Sequence, residues 1–220
     1  MRTAGMVFTG IFVALLIVAG GQAVYGQPKL PSEAASWTYQ GHSKCKICHN
    51  VPAEGGQYDK WKGEKHAKAF ETLKTDAAKK IGEEKGLAKP PHEAPECLKC
   101  HVTGYDAAAA KAPTGIKPED GVQCETCHGP ASAHMTLAQK LKFKPEMIAE
   151  VDIMSTHIHP DEQLCMGCHN AESPTWNPEK YTKADGTKAG FDFDAAWKDV
   201  GHAHPEGVME KKYGGKYPVD

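Results

Sequence analysis

Four pentapeptides in this chain place two thiols and an imidazole within one helical turn. They are Cys45-Lys46-Ile47-Cys48-His49, Cys97-Leu98-Lys99-Cys100-His101, Cys124-Glu125-Thr126-Cys127-His128 and Cys165-Met166-Gly167-Cys168-His169. Together they use all 8 cysteines of the chain. C-x-x-C-H is the attachment signature of c-type haem. Its thiols form thioethers with the two haem vinyl groups, and the adjacent histidine is held as an axial ligand of the iron. Residues at i, i+3 and i+4 share one helix face, so a single turn can grip one macrocycle. Paired C-x-x-C units also build zinc ribbons, and eight cysteines in a secreted chain can form four disulfides. Neither explains a histidine after every pair. The expectation is four covalently bound haem c groups, on Cys45 and Cys48, Cys97 and Cys100, Cys124 and Cys127, and Cys165 and Cys168. Their proximal iron ligands would be His49, His101, His128 and His169.

Each iron has a second axial position, so the remaining histidines matter. Apolar positions Trp61, Phe70, Leu73 and Ala77 fall near helical spacing and predict a helix over about 59–80, with His66 on its inward face. After Gly129-Pro130 a short helix carries His134, followed by Leu137, Ala138 and Leu141 at i+3, i+4 and i+7. A last amphipathic helix is expected from Phe191 to about His204. Phe193, Trp197 and Val200 form its stripe, which His204 continues and from which His202 points away. A kink at Gly201 would exchange these two, and Pro205 ends the helix. His66, His134 and His204 are therefore the candidate distal ligands. His157 and His159 precede the fourth motif in a segment that Pro160 keeps out of helix. The stretches 82–95 and 173–190 are rich in Gly, Pro and charge and are expected to be structureless connections.

Composition fits a polypeptide that wraps its cofactors. Aromatic residues make up 8% and mean hydropathy is −0.53, thin for an apolar core of this size, so four buried haems would supply the missing apolar surface. The fold class expected is mainly α with extensive irregular loops and little or no sheet, a multihaem cytochrome c fold around four covalently attached haems. Arg2, the apolar run Ile11–Ala19 and small residues up to Ala23 or Gly26 read as a secretory signal over 1–26, leaving one tetrahaem domain over 27–220. The apolar run is short for a membrane span, so none is expected after signal removal. The address is then periplasmic, or further out at the cell surface. Net charge is −2 with no basic stripe, which argues against nucleic acid as a partner.

Beyond the four motifs, the chain resembles the tetrahaem cytochrome c-554 family known from ammonia-oxidising bacteria. The carriers are Trp61-Lys62-Gly63-Glu64-Lys65-His66-Ala67-Lys68-Ala69-Phe70, Cys97 to Gly104, Gly121 to Pro130, and Phe191-Asp192-Phe193 with Val200 and His204. The resemblance implies His49 and His134 on the first haem, His128 and His66 on the third, and His169 and His204 on the fourth. It also implies a five-coordinate second haem above His101. Spare histidines at His92, His157 and His159 depart from that pattern, and His157 or His159 is the candidate cap there.

Three functional readings follow. The leading one is an electron carrier, not an enzyme, passing single electrons between redox partner proteins through closely packed, mostly bis-His haems. The second is reduction of nitric oxide or a related nitrogen oxide at an open second haem. The third is self-association into a cytochrome filament, with an unassigned histidine such as His42, His92, His157 or His159 capping a neighbour's haem.

Overall fold

The computed structural model describes residues 36–143, 160–208 and 211. The signal segment, His157 and His159 lie outside them. Among the described residues the chain is helical and irregular, with short helices α1 (His42–His49), α2 (Gln57–Gly63), α3 (Ala69–Thr72), α4 (Asp76–Glu84), α5 (Pro95–His101), α6 (Cys124–His128), α7 (Ser132–Phe143), α8 (Glu162–Met166) and α9 (Phe193–Val200). Three motifs lie wholly within α1, α5 and α6. The fourth runs off the end of α8, where the His169 amide donates to Cys165 O at 2.9 Å and keeps the thiols and imidazole on one turn.

The helix expected over 59–80 is broken. After Gly63 the backbone is extended at Glu64, a 3-10 turn spans His66–Lys68, and Thr75 starts a new helix by accepting from the Ala78 amide at 3.2 Å. This interruption shifts the inward phase. Trp61, Phe70 and Leu73 are buried as expected, but Ala78 takes the buried place expected for Ala77. The 173–190 stretch also has more order than expected. Tyr181–Thr182 (β1) and Lys188–Ala189 (β2) form an antiparallel hairpin pairing Tyr181 with Ala189 and Thr182 with Lys188. Asp185 closes its turn by accepting from the Thr187 amide and hydroxyl. At the other end, α9 begins with Asp192 accepting from the Ala195 amide and stops at Val200, not His204.

The apolar core is small: Phe70, Leu73, Leu98, Val102 and Ile116, flanked by Tyr39, Cys97, Tyr105 and Ala112. The largest fully buried side chains are instead polar, Gln123, Glu125 and Thr103. They tie three motifs together. The Thr103 hydroxyl, two residues beyond His101, accepts from the Gln123 amide at 2.7 Å and from Thr126 Oγ1 at 2.9 Å. Gln123 Oε1 accepts from the His42 amide at 2.7 Å. Glu125 lies inside the third motif, and its carboxylate accepts from the amides of Gln40, Gly41 and Ala131 at 2.7–3.0 Å. Buried amides must find acceptors. Here they find them in side chains that join segments distant in sequence, so directional bonds supplement a scant core.

Candidate haem sites

Histidine rings from different segments face each other in three places. His49 on α1 stands opposite His134 on α7, with ring centroids 6.2 Å apart and planes 28° apart. His66 stands opposite His169 at 6.1 Å and 76°. His128 stands opposite His202 at 6.0 Å and 64°. Two metal–imidazole bonds of about 2 Å plus a ring radius on either side give axial imidazole centroids roughly 6 Å apart. These rings are thus spaced to share one iron, and the residues present fit haem c. The alternatives fit less well. All eight cysteines are free thiols, and among the described residues no three His, Cys, Asp or Glu side chains converge as donors for a bare ion.

Several ring orientations also suit ligation. His101 Nδ1 is 2.7 Å from Ala69 O, and His202 Nδ1 is 2.8 Å from Val200 O. Donation from Nδ1–H to a carbonyl fixes the tautomer that turns Nε2 toward a metal. Burial pushes His66, His169 and His202 below the ordinary imidazole range, which favours the neutral form that a metal binds. His169 is further held by stacking on Phe191 at 5.0 Å.

The pairing differs from the one the resemblance implies. His66 faces His169, where the resemblance sets it opposite His128, and His128 faces His202, while the resemblance sets His204 opposite His169. His204 has Nδ1 2.7 Å from Glu54 O and 3.1 Å from Gln57 Nε2, a carbonyl contact of the kind that His101 and His202 make. The cause lies at Gly201. Its ψ of 133° ends α9, so the helical phase that favoured His204 stops four residues short of it. Lys60 donates to Gly201 O and anchors the released segment beside α2. His42 has both ring nitrogens engaged within the chain, at Tyr58 Oη and Asp120 Oδ2. His92 Nε2 is 3.6 Å from Glu93.

The motifs also neighbour one another. Cys45 and Cys124 are within hydrogen-bonding reach, as are Cys100 and Cys168. In the first pair, donation by Cys45 raises that thiol and lowers Cys124. In the second, donation by Cys168 brings Cys100 down to about 7. Cys127 is pushed up to about 11, chiefly by burial and then by the charge of Cys165. Lys99 also bonds Glu172 at 2.5 Å, joining the second motif to the residues just after the fourth.

The chain also has a likeness to known proteins. Residues 44–129 match the family described as cytochrome c554 and c-prime. The chain is 29% identical to cytochrome c-554 of Nitrosomonas europaea, over 91% of this chain and 87% of that protein. The reduced state of cytochrome c554 from the same organism aligns with a TM-score of 0.49 at 29% identity, covering 78% of this chain and 89% of that one.

Proposed function

We propose that this chain is a member of the cytochrome c-554 family, whose model matches residues 44–129, and an exported tetrahaem cytochrome that passes single electrons between redox partner proteins. A bound haem c supplies a one-electron iron couple whose potential depends on axial ligands, burial and nearby charge. The polypeptide supplies position. His49 with His134, His66 with His169 and His128 with His202 hold three irons between paired imidazoles. His101 holds the fourth, oriented by Ala69 O.

The observation that carries this reading is the set of three facing imidazole pairs at 6.0–6.2 Å. The thiol contacts extend it. Cys45 neighbours Cys124, Cys127 feels the charge of Cys165, and Cys168 neighbours Cys100. With the Thr103–Thr126 bond between the second and third, each motif thus has another close by, a spacing suited to a relay. Paired imidazoles favour low potentials. Among the described residues no helix is long and apolar enough to cross a membrane, in keeping with a carrier that works beside one.

Intact mass and electron paramagnetic resonance of the holoprotein test this. The mass should exceed that of the polypeptide by four haems, and at least three haems should be low-spin. Near-parallel imidazole planes split the iron d orbitals more than crossed planes do, so the first motif's haem should differ from those of the third and fourth. A mass short of four haems, or high-spin iron at any of those three motifs, would overturn the reading.

A further inference from the structure

His42 lies one turn before Cys45 on α1 and faces the same way as the motif, yet both its ring nitrogens are engaged elsewhere. Nδ1 is 2.9 Å from the Tyr58 hydroxyl, and Nε2 is 3.3 Å from the Asp120 carboxylate. The ring lies against Trp61 at 5.0 Å, and Trp61 is fixed by donating its indole N–H to Val122 O at 2.9 Å. The groups facing His42 are therefore Tyr58 and Trp61 from α2, Asp120 from the turn before the third motif, and Gln123, which accepts from its amide. Lys46 sits over the Tyr58 ring, 5.5 Å from its centroid. Tyr58 is buried and feels the charges of Cys124, Asp120, Asp59 and Cys45, so this array abuts the place where the first and third motifs meet.

We propose that His42 is a proton acceptor coupled to the electron relay: it takes up one proton from solvent when an electron arrives at the first or third motif. This rests on the electron-transfer reading above. One electron from the redox donor reduces one ferric iron to ferrous and adds one negative charge locally. One proton from water converts the His42 imidazole to imidazolium and offsets it. On reoxidation both leave, and no bond other than N–H forms or breaks. The geometry serves both states. A hydroxyl can donate to bare Nδ1 or accept from Nδ1–H, so Tyr58 stays bonded throughout. Asp120 accepts from Nε2–H and compensates the imidazolium. The ring keeps a fifth of its side-chain surface exposed and Asp120 a third, which gives water access. Linkage is reciprocal: if reduction favours protonation, protonation favours reduction by the same factor.

The test is a redox titration of wild-type, His42→Gln and Asp120→Asn holoproteins from pH 5.5 to 8.5, with proton uptake on reduction followed by an indicator dye. In the wild type the midpoints assigned to the first and third haems should fall as pH rises, with up to one proton taken up. His42→Gln should flatten that slope and lose that proton while all haems stay reducible. Asp120→Asn should move the sloping region to lower pH, because the imidazolium loses its anion. Low-spin spectra and unchanged circular dichroism establish that each variant is folded. Equal slopes and equal proton uptake in the wild type and His42→Gln would overturn the proposal. Haems that do not reduce reversibly in the wild type would instead overturn the electron-transfer reading.

Discussion

His202 faces His128 across 6.0 Å, while His204, two residues on, turns its ring to Glu54 O and Gln57. The choice between two nearly adjacent histidines is made by the backbone at Gly201. Its ψ of 133° ends the helical phase of α9, and His202 reaches His128 while His204 meets Glu54 O.

Substitution should separate those parts. His202→Ala should convert the third motif's haem from low-spin to high-spin and leave the other signals in place. His204→Ala should keep every low-spin signal and lower stability modestly, by about 1 kcal/mol for the lost hydrogen bonds. Paramagnetic resonance on both variants checks this, and a high-spin signal in His204→Ala alone would reverse the assignment.

Glu125 should matter more to stability than any surface ion pair. Its carboxylate is the acceptor for amides just before the first motif and just after the third. Glu125→Ala would strand those buried donors and should cost on the order of 3 kcal/mol or more. Lys99→Ala breaks the exposed bond to Glu172 and should leave the denaturation midpoint nearly unchanged. Chemical denaturation followed by circular dichroism reads both.

Acid should release the paired histidines. Burial holds His66, His169 and His202 below their unfolded values. The native state thus binds fewer protons than the unfolded chain, so stability decreases as the solution is acidified. Their contribution is full above the unfolded histidine value of about 6.5. It declines below that value until the depressed folded values are reached. An acid titration should show low-spin haem converting to high-spin only well below pH 6.5, with stability already decreasing from there. A conversion centred at or above pH 6.5 would contradict it.

Gly121 should prove intolerant. Its φ of +69° and ψ of −142° belong to glycine alone, and a Cβ there would stand 2.9 Å from His66 O, which accepts from the Val122 amide. Gly121→Ala should cost about 1–3 kcal/mol from backbone strain alone. It should also perturb the spectrum of the fourth motif's haem, because His66 faces His169. An unaltered spectrum and midpoint would refute this.

Much of this was legible in the chain itself. The motifs announce their chemistry because covalent attachment demands fixed residues at fixed spacing. His66 and His134 stood on apolar faces, and both prove to face another histidine. What periodicity could not carry was phase across a break. Glu64 and Thr75 interrupt one expected helix and Gly201 shortens another, so Ala78 replaced Ala77 and His202 replaced His204 at the inward positions. Pairing was less legible still, because which segment meets which depends on long-range bonds such as that from the Val122 amide to His66 O. The buried roles of Thr103, Gln123 and Glu125 left no apolar signal. Their one trace was a Gln and a Glu packed tightly around a motif cysteine.

The crossed histidine pairs also set an order in time. A ribosome makes His49 before His134, His66 before His169, and His128 before His202, so the first and third motifs wait for a later residue while the fourth finds His66 already made. The last closing residue stands almost at the end of the described chain. A nascent polypeptide stopped after Val200 would hold all four motifs and still lack the ring that stands opposite His128, so His202 acts as the clasp of the third motif's site.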